Sequence, residues 1–426
     1  MLRNCLAALV CVCTGFAVNA QKIDRIISSK EVKRIETVLS ADDMQGRKPF
    51  TPGIEKAAAF ISEEFKKAGI QPVNGSYFQE FTVPEVSATI TGTIDGQTLN
   101  PNEVAVITAQ ETLTVNNTES FQMINVGAAD TLPSVMRGLQ AATGNYLLLV
   151  DNSHLRYFNA YRQARRINPS MKSNIVMLLG SKAPGSFDIT IRKKTTQMPL
   201  KNVVGMIPGK SKKDEYVIFS GHYDHLGIGK PDANGDSIYN GANDDAAGIT
   251  AVIMLAKYFA KKNDNERTIL FAAFTAEESG GYGSRHFSEQ YKPETVMAMF
   301  NIEMIGTESK WGKKSAYITG YEKTDMGKIL EKNLVGTGFT FHPDPYPDQQ
   351  LFYRSDNATL ARQGVPAHTI STSKMDSEKY YHTVDDEIGT LNMKNMAEII
   401  KAIAISSTSI IAGKDTPSRV DTSQLR

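Results

Sequence analysis

The sequence predicts an α/β fold: a mixed central β-sheet flanked by helices on both faces, with a smaller β-rich domain inserted into it. Three observations carry this reading. From residue 201 onward, apolar runs of strand length alternate with segments of helical period. Residues 84–196 have another character, with Thr, Val, Ile and Asn alternating among turn residues, as in Ser87–Leu99. Ahead of them, residues 24–71 are polar and helical in pattern. The expected division is therefore a signal peptide over 1–20, a main domain over 21–83 and 197–426, and an inserted domain over 84–196.

At the N-terminus, Arg3 gives a positive start, Cys5–Val18 is apolar, and Val18-Asn19-Ala20 offers small residues for cleavage before Gln21. The run is shorter than the roughly 20 apolar residues of a spanning helix. No later segment is apolar enough to span a membrane, so stable membrane association is not expected. All three cysteines, Cys5, Cys11 and Cys13, lie in this leader. The remainder has neither a disulfide framework nor a thiolate metal site. Export without later cysteines fits a bacterial periplasm or exterior.

Ile54, Ala57, Ala58, Ile61 and Phe65 recur at helical spacing, between Thr51-Pro52-Gly53 as a start and Gly69 as a stop. In the insert, Tyr146–Val150 and Ile175–Leu179 suit buried strands, and basic Leu155–Arg166 suits a helix. Later, Asn202–Ile207, Tyr216–Ser220, Arg267–Phe274, Thr295–Ile302 and Pro366–Ser371 read as strands. Ala246–Lys261, Ser284–Gln290 and Met393–Ser406 read as helices. His342–Asp348, with prolines at 343, 345 and 347, reads as a stiff loop.

Lys+Arg is 47 against Asp+Glu 46, a net charge of +1, so no global field attracts nucleic acid. Hydrophobic residues at 41% and charged residues at 22% exclude a disordered or fibrous chain.

Four motifs fall at strand ends or just beyond them, where open α/β sheets place ligands. The first is Ser220-Gly221-His222-Tyr223-Asp224-His225. His222 reads as a metal ligand, with the Asp224 carboxylate behind it fixing its tautomer. His225 reads as structural. In Asn243-Asp244-Asp245-Ala246, an aspartate ahead of a helix suits either an N-cap or a carboxylate bridging two cations. Glu277-Glu278, directly after an apolar strand, need a positive charge between them. A metal would supply it, with one Glu binding and the other handling protons. Tyr380-Tyr381-His382 adds a second histidine. Glu303 is a lone acid ending an apolar strand, an expensive place for an unpaired charge. Nitrogen and oxygen donors of this kind suit zinc, with cobalt or manganese as alternatives.

With these motifs in this order, the chain resembles metallopeptidase family 28, the two-zinc exopeptidases that include many secreted bacterial aminopeptidases. The likeness covers 30–83 and 201–410, and Leu39–Arg47 with Thr51-Pro52-Gly53 resembles the family's N-terminal signature. The insert loosely resembles a protease-associated domain. The resemblance implies two zinc ions and peptide substrates. His222 and Glu303 would hold one ion, Glu278 and His382 the other, with Asp244 bridging. Glu277 would act as general base on a metal-bridging water. Tyr381 stands where some relatives donate to the oxyanion, with Tyr380 as the adjacent alternative.

There are two departures from the family pattern. Glu303 replaces a usual Asp, as in related peptidases acting at C-termini. Asn357, in Arg354-Ser355-Asp356-Asn357, stands where His is commoner and is expected near the substrate pocket without a metal role. The readings carried forward are an aminopeptidase, a carboxypeptidase or dipeptidase, a glutaminyl cyclase, and a binding protein on an inactive scaffold. The second needs a cation for the substrate carboxylate, with Arg354 and Arg362 nearest in sequence. The third favours tryptophans, and this chain has only Trp311.

Overall fold

The structure is a computed structural model and describes residues 23–117, 121–163, 171–180 and 182–426. The expected signal peptide lies outside these. Among the described residues, no helix is long and apolar enough to cross a membrane. The chain forms two compact units, one running through Phe81 and resuming from Pro199 to Arg426, the other Thr82–Met198. Both boundaries fall inside long strands, Phe78–Ile94 and Phe187–Ile207. No turn signal marks them in the sequence, which places them instead at 83/84 and 196/197.

In the first unit, four strands form the parallel centre of a mixed sheet, in the order Ala367–Ser371, Val296–Ile302, Lys212–His222, Arg267–Phe274. Antiparallel neighbours flank them: Ser315–Ile318 on one side and the Val203–Ile207 end of Phe187–Ile207 on the other. Strand alternation sends Val217 and Phe219 to one face and Ile218 to the other. The first face packs beneath helices Ser29–Leu39, Pro52–Ala68, Ala247–Lys262, Met326–Leu334 and Met393–Ser406. The second packs beneath the shorter Tyr282–Ser288 and Asn357–Ala361, through Phe287, Leu360 and Ala361. Helices therefore cover both faces, as the sequence predicts. Pro52–Ala68 starts with Pro in its first turn and ends at Gly69, whose φ of 79° is the left-handed stop a glycine supplies without strain.

The second unit holds a four-stranded sheet in the order Val104–Ile107, Ser173–Leu179, Gly144–Val150, Gln122–Val126. The last three run parallel. Parallel neighbours need crossovers, and helices Leu132–Ala141 and Leu155–Arg162 lie between those strands in the chain. The insert is β-rich as expected, and it holds one helix, Leu132–Ala141, beyond the expected one that begins at Leu155. Leu132–Ala141 escapes the sequence reading because its stretch carries both Pro133 and Gly138. Where short strands are expected over Ser87–Leu99, one long strand, Phe78–Ile94, turns back through Gln97–Thr98.

Candidate metal centre

The parallel strands deliver their C-terminal ends to one place. His222 is the last residue of Lys212–His222, Glu277 and Glu278 follow Arg267–Phe274 directly, and Glu303 follows Val296–Ile302. Three non-glycine residues here adopt left-handed backbone: Ala276 (φ 56°), Met304 (φ 51°) and His382 (φ 58°). Such turns cost energy and re-aim the chain at the strand ends.

Two clusters share Asp244. In the first, His222 Nε2 lies 3.2 Å from Asp244 Oδ1 and 4.0 Å from Glu303 Oε1. In the second, His382 Nε2 lies 3.2 Å from Asp244 Oδ2 and 3.0 Å from Glu278 Oε1. His225 joins the second cluster, with Nδ1 3.1 Å from Glu278 Oε1 and 3.9 Å from Asp244 Oδ2. The sequence reading of His225 as structural misses this, although its place three residues after His222 in the same loop was a usable signal.

The close atoms are not hydrogen bonded to one another. His222 Nε2, His225 Nδ1, Glu278 Oε1 and His382 Nε2 are all buried without a hydrogen-bond partner. Buried polar atoms are normally paired. Lone pairs converging on shared points are what a cation bound by nitrogen and oxygen donors requires, so the residues fit zinc. His222 Nδ1 is 3.1 Å from the Asp224 carbonyl oxygen, which fixes the tautomer leaving Nε2 unprotonated.

The Asp224 carboxylate acts differently from the expectation. Its Oδ1 is 3.8 Å from His222 Nδ1, and it accepts instead from the backbone N–H groups of Glu277 (3.0 Å) and Glu278 (3.3 Å). Two further buried carboxylates work the same way. Asp386 accepts from the N–H groups of Asn243 (2.8 Å) and Asp244 (3.0 Å). Asp245 accepts from His222 (3.2 Å), Gly248 (3.0 Å) and Met304 (3.1 Å), tying together the segments that carry His222, Glu303 and the following helix. The two sequence readings of this aspartate pair are thus divided between neighbours: Asp245 does cap-like work and Asp244 faces the histidines.

Arg47 supplies the opposite sign. It is fully buried and donates to the carbonyls of Leu39 (2.7 Å), Tyr223 (2.9 Å), Asn240 (2.5 Å) and Gly241 (2.8 Å). Asp245→Asn keeps the shape but turns an NH2 toward a backbone donor. It should weaken zinc binding about 10–100-fold, read by titration against a competing chelator.

Electrostatics follow from the crowding. Burial, with Asp356, Glu303 and Asp224 nearby, pushes Glu277 well above the ordinary carboxylate range, though His222 opposes. Burial pushes Glu303 up to about 7. Burial also works against charge on Glu278, but His225 and His382 beside it hold it down at about 2. Asp244 and Glu278 raise His382 to about 10.

Tyr381 stacks on His382 with ring centroids 3.9 Å apart and lines a pocket with Glu303 and Met304. Tyr380 is exposed and does not line it. Ser355 Oγ, which receives from Asn301 Nδ2 (2.7 Å), donates to Glu303 Oε2. Asn357 is buried behind the pocket wall, accepting from Thr369 Oγ1 at 2.9 Å.

Residues 202–406, which carry every ligand candidate, match the profile of peptidase family M28. Leucine aminopeptidase 1 of Emericella nidulans is 25% identical over 295 residues, covering 65% of this chain and 72% of that protein. The fold resembles BSAP, a zinc aminopeptidase from Bacillus subtilis, with TM-score 0.57 and 16% identity, covering 92% of this chain and 98% of that one. It also resembles Porphyromonas gingivalis glutaminyl cyclase, with TM-score 0.52 and 11% identity, covering 90% of this chain and 99% of that one. At such identities the two structures speak for the fold alone. The segment that bears the candidate metal centre thus matches peptidase family M28.

Proposed function

We propose that the protein is a two-zinc aminopeptidase that releases N-terminal residues from peptides outside the cytoplasm. The observation that carries this is the pair of donor clusters sharing Asp244, with His222 Nε2, His225 Nδ1, Glu278 Oε1 and His382 Nε2 left without hydrogen bonds. His222, Glu303 and Asp244 would hold one ion, and Asp244, Glu278 and His382 the other, with His225 beside the second. Zinc bound there supplies Lewis-acid polarisation of the scissile carbonyl and brings the pKa of water down to about 7.

The chain's own groups supply the remaining chemistry. Glu277 takes the proton of the attacking water and returns it to the leaving amine, a role its raised proton affinity suits. Tyr381, protonated through burial, donates its O–H to the developing oxyanion. Ser355 holds Glu303 in place from behind. The likeness to an enzyme named leucine aminopeptidase supports N-terminal polarity, and the leader pattern of residues 1–20 supports export.

A C-terminal exopeptidase is the second reading, favoured by Arg354 in the pocket lining. Incubation with unblocked, N-blocked and C-amidated peptides, followed by mass spectrometry, separates the two. Stepwise loss from every free N-terminus, amidated peptides included, is the expected result. Cleavage of N-blocked but not C-amidated peptides would reverse the polarity.

A further inference from the structure

The pocket beside Glu303 has apolar walls from Met304, Tyr317, Leu351 and Met375, and Arg354 among its lining. Of the two arginines near in sequence, only Arg354 lines it. Arg362 lies instead over the Tyr353 ring, 6.0 Å from its centroid. Arg354 is exposed and forms no ion pair among the described residues. The one hydrogen bond of its side chain among the described residues is a long contact of 3.4 Å from Nη1 to Gln349 Oε1. It lies near enough to Tyr381 to favour the phenolate electrostatically.

Two of the other polar pocket groups are turned away from it. Thr369 Oγ1 donates inward to Asn357 (2.9 Å), and Ser371 Oγ donates to the Met304 carbonyl (3.3 Å). Glu303 is the only other charged group in the lining, and a bound cation would offset its charge. An arginine fork left free at the rim of a neutral pocket matches the two oxygens of a carboxylate.

We propose that Arg354 receives a carboxylate of the substrate. The inference rests on the exopeptidase reading of this centre. The carboxylate has two possible sources: the side chain of an N-terminal Asp or Glu, or the α-carboxylate of a dipeptide.

The test compares kcat and KM of the zinc-loaded enzyme and its Arg354→Gln and Arg354→Lys variants on three substrates. Glu-Gly-amide against Leu-Gly-amide reads the side chain, and Leu-Gly against Leu-Gly-amide reads the α-carboxylate. The expected result is a preference for one carboxylate-bearing substrate that falls about tenfold or more in Arg354→Gln, mainly through KM. Arg354→Lys should restore part of it. A preference untouched by Arg354→Gln, or an equal loss on all three substrates, overturns the proposal. If no substrate is cleaved, calorimetric binding of L-glutamate and Leu-Gly against L-leucine and Leu-Gly-amide decides it. A carboxylate preference lost in Arg354→Gln upholds the role of Arg354 while counting against the exopeptidase reading, and equal binding throughout overturns the role itself.

Discussion

Glu277→Gln is expected to lower kcat by about 10²–10⁴-fold with zinc content unchanged. The substitution keeps the side chain's shape and removes its ability to accept and return a proton. The donor atoms that would meet a cation belong to His222, Asp244, Glu278, Glu303 and His382. The backbone N–H of residue 277, bonded to Asp224 at 3.0 Å, is present in the variant too. Turnover and metal should therefore separate cleanly, and kinetics beside elemental analysis of the same preparation reads both. Loss of metal along with activity would make Glu277 a ligand instead of the base.

Removing zinc is the second large effect: activity should vanish, and stability should become pH-dependent. In the stripped chain, burial holds Glu303 at about 7 against an ordinary 4.5. A carboxyl whose folded pKa is raised stabilises fully below its unfolded value, and the contribution falls away as pH rises through the folded one. His382, drawn up to about 10 from 6.5 by Asp244 and Glu278, acts in the same direction. Its contribution is complete below 6.5 and declines toward 10. Glu278, held at about 2, contributes throughout this range and is lost only in strong acid. The stripped chain should thus melt lower at pH 8 than at pH 5, by roughly 5 °C or more, and zinc should remove the difference. Thermal melts of both forms at the two pH values check this.

Much of this was legible in the sequence because strand ends and charged motifs coincide. A carboxylate pair after an apolar run, such as Glu277-Glu278, and a lone Glu303 in the same position both stand out against the cost of burying charge. The residues that hold the ligands in place were not legible. Asp245, Asp386 and Arg47 bond to backbone groups far away in the chain, and nothing local distinguishes them from caps or surface charges. In the sequence His225 looks like a spare neighbour of His222, because its approach to Glu278 comes from another strand end. Spacing places Asp224 beside His222, but it does not separate a carboxylate contact from a carbonyl contact. In the insert, the parallel pairing that calls for a helical crossover depends on contacts between strands, which periodicity does not report.

Two donor clusters, joined at Asp244, are proposed to hold two zinc ions. Zinc bound per chain at saturation, measured on wild type and on His382→Ala by elemental analysis and native mass spectrometry, tests it most directly. Two ions in wild type and one in His382→Ala is the result predicted. No bound zinc in wild type, or a single ion that His382→Ala leaves in place, would contradict it.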